Sequence, residues 1–180
     1  PTLTMGAVEA IAAHGSEEMK AKYLPKMISG EWTGTMNLTE PQAGSDLGEM
    51  RTRAERRDDG GYRIFGQKIY ITFGEHDITE NIIHLVLARL PDAPAGTRGI
   101  SLFLVPKFLP DEDGTPGARN DLFCSSIEHK MGIHSSPTCE IQYNNTPAEL
   151  LGKRRFGLMR YAMPLMNGAR VAVGAHALGS

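Results

Sequence analysis

Apolar positions recur at spacings of three and four through residues 1–30 and at a spacing of two from Trp32 onward, so helices are followed by a sheet-rich stretch. Residues 7–13 are a good helix-forming run that His14-Gly15 stops. Ser16 before Glu17 and Glu18 has the form of an N-cap with an acidic first turn, starting a second helix through Lys20, Tyr23 and Leu24. Tyr23, Leu24, Met27 and Ile28 form its buried stripe, and Gly30 closes it. Residues 33–39 alternate, with Thr35, Asn37 and Thr39 on one face and Gly34, Met36 and Leu38 on the other. After a turn-rich break at 41–46, residues 51–57 and 62–72 read as strands joined at Asp58-Asp59-Gly60-Gly61, a hairpin signal. Residues 82–89, 99–105, 122–130 and 138–143 are further strands, whereas 91–97 and 106–120 carry Pro, Gly and Asp and read as loops. Residues 153–180 return to helical spacing. The pattern predicts an α+β chain: an antiparallel β-barrel or orthogonal sandwich over 33–152, preceded by helices over 1–32 and followed by helix over 153–180.

Charge narrows the function. The chain of 180 residues holds 19 basic and 21 acidic side chains, a net charge of −2, so nothing calls for nucleic acid or an anionic membrane as partner. Two cysteines, Cys124 and Cys139, cannot make a disulfide framework, which makes a reducing interior the default compartment. The uncharged run 171–180 is too short, and too rich in Gly and Ala, to span a bilayer. The start, Pro1-Thr2-Leu3-Thr4-Met5, has no signal-peptide features. A helix over 171–179 would be apolar almost all round, so the chain reads as a piece of a longer one, with residues 1–32 ending one helical domain and 153–180 beginning another.

Three segments carry candidate chemistry. In Met36-Asn-Leu-Thr-Glu-Pro-Gln-Ala-Gly-Ser-Asp46, Pro41 and Gly44 force a tight turn that exposes backbone N–H groups, a cradle for a phosphate or a polar ring edge. Spacing alone favours an ordinary loop in which Thr39, Ser45 and Asp46 bond their own backbone. In the strand ending at Thr72, simple alternation puts Lys68, Tyr70 and Thr72 on one face and Ile69 and Ile71 on the other, so Tyr70 and Thr72 can meet a flat ligand. A core aromatic at Tyr70 and plain strand propensity at Thr72 are the alternatives. In Met166-Asn-Gly-Ala-Arg170, an Arg within a small, apolar helix needs an anion, either a ligand or a carboxylate across a helix or subunit contact. His76, His84, His129 and His134 show no metal-ligand spacing with the cysteines, and Cys139 reads as a small buried hydrophobe.

Thr-Glu-Pro-x-Ala-Gly-Ser-Asp after a strand resembles the signature of the acyl-CoA dehydrogenase family of flavoproteins. Other segments fall in the family's order: His14-Gly-Ser-Glu-Glu-Met-Lys-Ala-Lys-Tyr-Leu-Pro-Lys26, Gly30-Glu-Trp-Thr-Gly34, Gly66-Gln-Lys-Ile-Tyr-Ile-Thr72, Gly99-Ile-Ser-Leu-Phe-Leu-Val-Pro106, Lys130-Met-Gly-Ile-His134 and Leu150-Leu-Gly152. Four places depart from its pattern: Asn37 and Glu49 where small residues are usual, Tyr70 where Trp is common, and Lys153-Arg-Arg-Phe-Gly157 in place of an acidic, Gly-rich link. The resemblance implies FAD as cofactor, with Met36, Leu38 and Thr39 at the pyrimidine side of the flavin and Thr72 near its N5. It implies Tyr70 packed on the ring, positioned with help from the Ile71 backbone, and Gly44 and Ser45 near the pyrophosphate or the acyl-CoA. Asn167 and Arg170 would meet the CoA portion of the substrate.

The activity it implies is α,β-dehydrogenation of an acyl-CoA thioester, with an electron-transfer flavoprotein as acceptor, a homo-oligomeric parent, and a bacterial cytoplasmic or mitochondrial matrix location. The family's carboxylate base lies beyond Ser180. None of Glu40, Glu49, Glu75 or Glu128 fits its position, so these residues alone should be inactive and hold FAD weakly. An acyl-CoA oxidase and a DNA-associated flavoprotein relative with little dehydrogenase activity would share the motifs.

Overall fold

The computed structural model describes residues 2–179. Helix α1 (Thr2–His14) and helix α2 (Glu17–Ser29) form where the periodicity places them. The Ser16 hydroxyl caps α2 by accepting from Met19 N–H at 3.1 Å, and Gly30 ends it in the left-handed region at φ 87°. The buried face of α2 is Met19, Tyr23 and Met27, a strict i, i+4 row; Leu24 is half-buried and Ile28, one step further round, is 69% exposed. The four-residue stripe read from the sequence is thus narrower than expected.

Nine strands follow among the described residues. They are β1 (Trp32–Asn37), β2 (Arg53–Arg56), β3 (Tyr62–Thr72), β4 (Asn81–Arg89), β5 (Ile100–Pro106), β6 (Phe108–Pro110), β7 (Pro116–Arg119), β8 (Leu122–Ile127) and β9 (Thr138–Leu151). The β2–β3 hairpin turns where expected, with Arg57 N–H donating to the Gly61 carbonyl at 2.8 Å and Gly60 at φ 86°. Pairings run from β4 to β2, β3, β9 and β5 and back to β4, the β2–β4 link being the single pair Arg53↔Arg89. One long pairing departs from the antiparallel rule: β1 lies parallel to β4 from Trp32↔Asn81 to Asn37↔Val86. The 43 residues between the two strands, including the whole β2–β3 hairpin, supply the crossover that a parallel pair requires.

Two other expectations are corrected. Residues 106–120 are not all loop, because β6 and β7 form a two-stranded ribbon. Strand β9 does not stop at Tyr143; the register jumps between Tyr143 and Thr146, with Asn145 at φ 61°, and pairing resumes to Leu151.

Alternation along β4 and β5 divides the interior. Leu85, Leu87, Leu102 and Leu104 face the helices, where they join Ile11, Tyr23, Met27 and Trp32. Val86, Ala88, Phe103 and Val105 face the other way, onto Ile64, Ile71, Cys139 and Ile141. Cys139 is thus the small buried hydrophobe its strand position implies. After a π-helical turn at Gly157–Ala162, helix α3 (Met163–Leu178) packs on α1 through Leu165 against Gly6, while Val171 and Val173 are exposed. No helix of the described residues is long and apolar enough to cross a membrane.

The contact of α1 with β1 leaves no room for a side chain. A Cβ on Gly34 would lie 2.6 Å from the Ala7 Cβ and 3.3 Å from the Thr4 backbone. Gly34→Val should therefore cost about 1–3 kcal/mol, read as a lowered denaturation midpoint in the complete protein.

Candidate functional site

One extra residue in β3 builds the site. β3 pairs with β9 as far as Lys68↔Ile141 and resumes at Ile71↔Cys139, so three steps on β3 match two on β9. This is a β-bulge, and it shifts the phase of the strand. Lys68 and Ile71 both point inward, at 0% and 1% exposure, while Tyr70 and Thr72 stand outward, Tyr70 at 59%. Lys68 therefore does not share a face with Tyr70 and Thr72, as simple alternation implied. The strain falls on Tyr70, whose φ of 59° is unfavourable for a side chain with a Cβ. Its ring is no core aromatic.

The bulge also frees a backbone donor. Ile69 N–H donates to the Thr39 carbonyl at 2.9 Å, which ties the residues following β1 to β3, three positions before Thr72. Thr39 and Leu38 are half-buried, Met36 is buried in the core beneath the helices, and Gly44 and Ser45 are exposed in the next loop. That loop is closed by reciprocal bonds between Glu40 and Ala43 at 2.9 and 3.0 Å, and Asp46 accepts from Gly48 N–H at 2.8 Å. A cavity of about 930 Å³ lies at the start of β1, walled by Leu3, Met5 and Val8 of α1, Ile28 of α2, Trp32 and Gly34 of β1, and Thr72 and Phe73 at the end of β3. Of the residues singled out from the sequence, Thr72 reaches this cavity. Asn167 and Arg170 lie apart, exposed on α3, where Arg170 Nη1 donates to Asn167 Oδ1 at 3.2 Å. Among the described residues no carboxylate lies within ion-pair distance of Arg170.

Behind the surface lie two polar clusters that spacing did not reveal. In the first, Lys68 Nζ donates to Glu40 Oε1 at 2.8 Å and to the Leu38 carbonyl at 2.9 Å, with both side chains buried. The other Glu40 oxygen accepts from Arg51 N–H at 2.7 Å and from Gln42 Nε2 at 2.7 Å. Burial alone would raise the Glu40 carboxyl, but Lys68 and the neighbouring donors hold it below the usual carboxylate range. Burial pulls Lys68 down to about 8, against the attraction of Glu40. The pair is ionised at neutral pH, and Glu40 has no freedom to act as a base. Glu75 is similarly held, by Lys107 and by Arg119 at 2.9 Å. A lone Lys within a β-branched strand, with a Glu just before Pro41, was the available signal.

In the second cluster, the Thr35 hydroxyl donates to Asn37 Oδ1 at 2.7 Å and contacts His84 Nδ1 at 2.7 Å, and Asn37 Nδ2 donates to the Tyr143 hydroxyl. A hydroxyl has one proton, so His84 must carry its own on Nδ1; this tautomer is assigned from the network. The unusual Asn37 thus fills a polar niche between β1, β4 and β9. Burial pushes His84 down to about 3, outweighing the pull of Glu75, while Lys107, His76 and Arg119 push the same way.

Folding therefore keeps His84 neutral, and its contribution to stability is present in full above its ordinary 6.5 and drains away as pH falls toward 3. Denaturant unfolding of the complete protein should show a smaller loss of stability between about pH 7 and about pH 5 in His84→Asn than in the unaltered protein. Equal losses would contradict the assignment.

Comparison with known proteins adds the lineage. The acyl-CoA dehydrogenase middle domain matches residues 35–146, and the N-terminal domain of the same enzymes matches residues 2–31. A 3-methylmercaptopropionyl-CoA dehydrogenase of Ruegeria pomeroyi is 56% identical over 174 residues, covering 97% of this chain and 29% of the relative. A butyryl-CoA dehydrogenase of Syntrophomonas wolfei is 47% identical over 189 residues, covering 98% of this chain and 30% of its own length. Among solved structures, butyryl-CoA dehydrogenase from Megasphaera elsdenii superposes with a TM-score of 0.79 at 33% identity, over 99% of this chain and 43% of that one. The chain thus spans less than a third of the curated relatives named here. With its middle and N-terminal portions both matched in order, the chain belongs to the acyl-CoA dehydrogenase family.

Proposed function

We propose that the complete protein is an FAD-dependent acyl-CoA dehydrogenase that forms the α,β double bond of an acyl-CoA thioester and passes electrons to an electron-transfer flavoprotein. The observation that carries this reading is the β3 bulge, which turns Tyr70 and Thr72 outward and sets Thr72 in the wall of an apolar cavity, with Thr39 tied to the same strand through Ile69. An exposed aromatic ring, a hydroxyl and half-buried Leu38 and Thr39 fit a flat heterocycle with one apolar face and a polar rim. Leu38 and Thr39, with the backbone of Met36, would hold the pyrimidine side; Tyr70 would lie against the ring, positioned by the Ile71 backbone, and the Thr72 hydroxyl would meet N5. Gly44 and Ser45 would hold the pyrophosphate or the acyl-CoA, and Asn167 with Arg170 would receive an anionic part of CoA. Bound there, the flavin supplies hydride acceptance.

What these residues contribute is order and exclusion of water. The apolar walls of the cavity, from Leu3 to Val8 and at Ile28, suit an acyl chain and hold it beside Thr72. Neither Glu40 nor Glu75 is free to take a proton, since each is held by a buried or half-buried cation. In keeping with the family resemblance, the proton-accepting carboxylate would be supplied from outside these 180 residues, which on their own would hold FAD weakly and not turn over. The apolar side chains left exposed at Phe123, Ile127 and Met131 suit a homo-oligomer, and the cytoplasm of a bacterium suits the unpaired cysteines.

The complete protein should bind FAD and reduce it on mixing with butyryl-CoA, and reoxidation should follow electron-transfer flavoprotein rather than oxygen. Thr72→Val should keep its flavin but slow reduction by roughly tenfold, the worth of one hydrogen bond at the reacting position. Rapid peroxide formation would point to an oxidase, and no reduction by any acyl-CoA would overturn the proposal.

A further inference from the structure

The buried ion pair has a consequence for the backbone in front of it. Lys68 Nζ holds the Leu38 carbonyl from inside the sheet at 2.9 Å, and Glu40 fixes Lys68 in turn at 2.8 Å. The Leu38–Thr39 peptide is trans, so its C=O and N–H point in opposite directions. A carbonyl drawn inward therefore leaves the Thr39 N–H directed away from the buried ammonium. Among the described residues that N–H meets no acceptor, although the Thr39 carbonyl is taken by Ile69. In the turn that follows, the Glu40 and Ala43 N–H groups are each taken by the other residue's carbonyl. Such an amide, fixed on both sides and unspent, is the arrangement that makes a preorganised donor effective.

We propose that Lys68 is a positioning residue for the cofactor: clamped by Glu40, it sets the plane of the Leu38–Thr39 peptide and so offers the Thr39 N–H to an acceptor on the flavin ring edge. The inference rests on the functional reading above but goes beyond it, because Lys68 itself touches neither cofactor nor substrate. Its charge holds a carbonyl in the interior, and Glu40, which also accepts from the Arg51 and Thr52 N–H groups, keeps that charge in place.

Two measurements on the complete protein test it. In Lys68→Met with Glu40→Gln, no unpaired charge is left inside, so the protein should stay folded by circular dichroism, with a melting temperature lowered by the hydrogen bonds that Glu40 no longer accepts. Its FAD affinity, read by quenching of flavin fluorescence in titrations of the apoprotein, should nevertheless fall roughly tenfold or more. A folded double variant with unaltered affinity would overturn the proposal. The second measurement needs no substitution: hydrogen exchange of the Thr39 amide should be fast in the apoprotein and slowed roughly tenfold or more by FAD. Tight FAD binding with no protection at Thr39 overturns the role of Lys68 alone, whereas a protein that binds no FAD overturns the functional proposal and this one with it.

Discussion

The site depends on a single inserted residue in β3. A regular strand from Gly66 to Thr72 would alternate without interruption, and Lys68, Tyr70 and Thr72 would all point the same way. The bulge between Lys68 and Ile71 lets one strand send a cation inward and an aromatic ring and a hydroxyl outward within five residues. The left-handed backbone at Tyr70 costs about 1–2 kcal/mol. That cost is offset by the Ile69–Thr39 bond and by the ion pair that the inward Lys68 makes with Glu40. The scaffold that tolerates this strain is β4 with β5, whose inner faces are buried in both cores.

Two polar clusters then fix the end of β1 from different directions. Thr35 is bonded to His84 on the neighbouring β4, Asn37 to Tyr143 on β9, and Leu38 and Glu40 to Lys68. A fully apolar interior would fill the same space at less desolvation cost. Hydrogen bonds specify direction as well as contact, and here they determine which way individual peptides and side chains turn. That specificity is what a surface built to receive a planar ligand requires.

Much of this was legible in the sequence where local chemistry decides the outcome. The Ser16 cap, the Gly30 stop, the Asp-Asp-Gly-Gly hairpin and the alternation of β4 and β5 are settled by neighbours a few residues away. The signature around Thr39 and Thr72 pointed to two segments that the fold does join, through Ile69. What could not be read were features set by distant pairing: the parallel docking of β1 on β4, the ribbon of β6 and β7 in a Pro- and Gly-rich stretch, and the phase shift in β3. The last inverted the reading of Lys68, since periodicity assumes an unbroken strand. Asn37 stood out only as a departure from the family's pattern; its reason is a buried tyrosine hydroxyl 106 residues away, together with the Thr35 hydroxyl.

Deleting Tyr70 is the most direct test of the bulge. Without it, Ile69 and Ile71 become neighbours, Lys68, Ile71 and Thr72 keep their sides, and pairing with β9 can run unbroken. FAD titration of the complete protein carrying this deletion, alongside its circular dichroism, isolates what the inserted residue does. The account expects a folded protein with FAD affinity reduced by at least about tenfold. A folded deletion variant that binds FAD as tightly as the unaltered protein would contradict it.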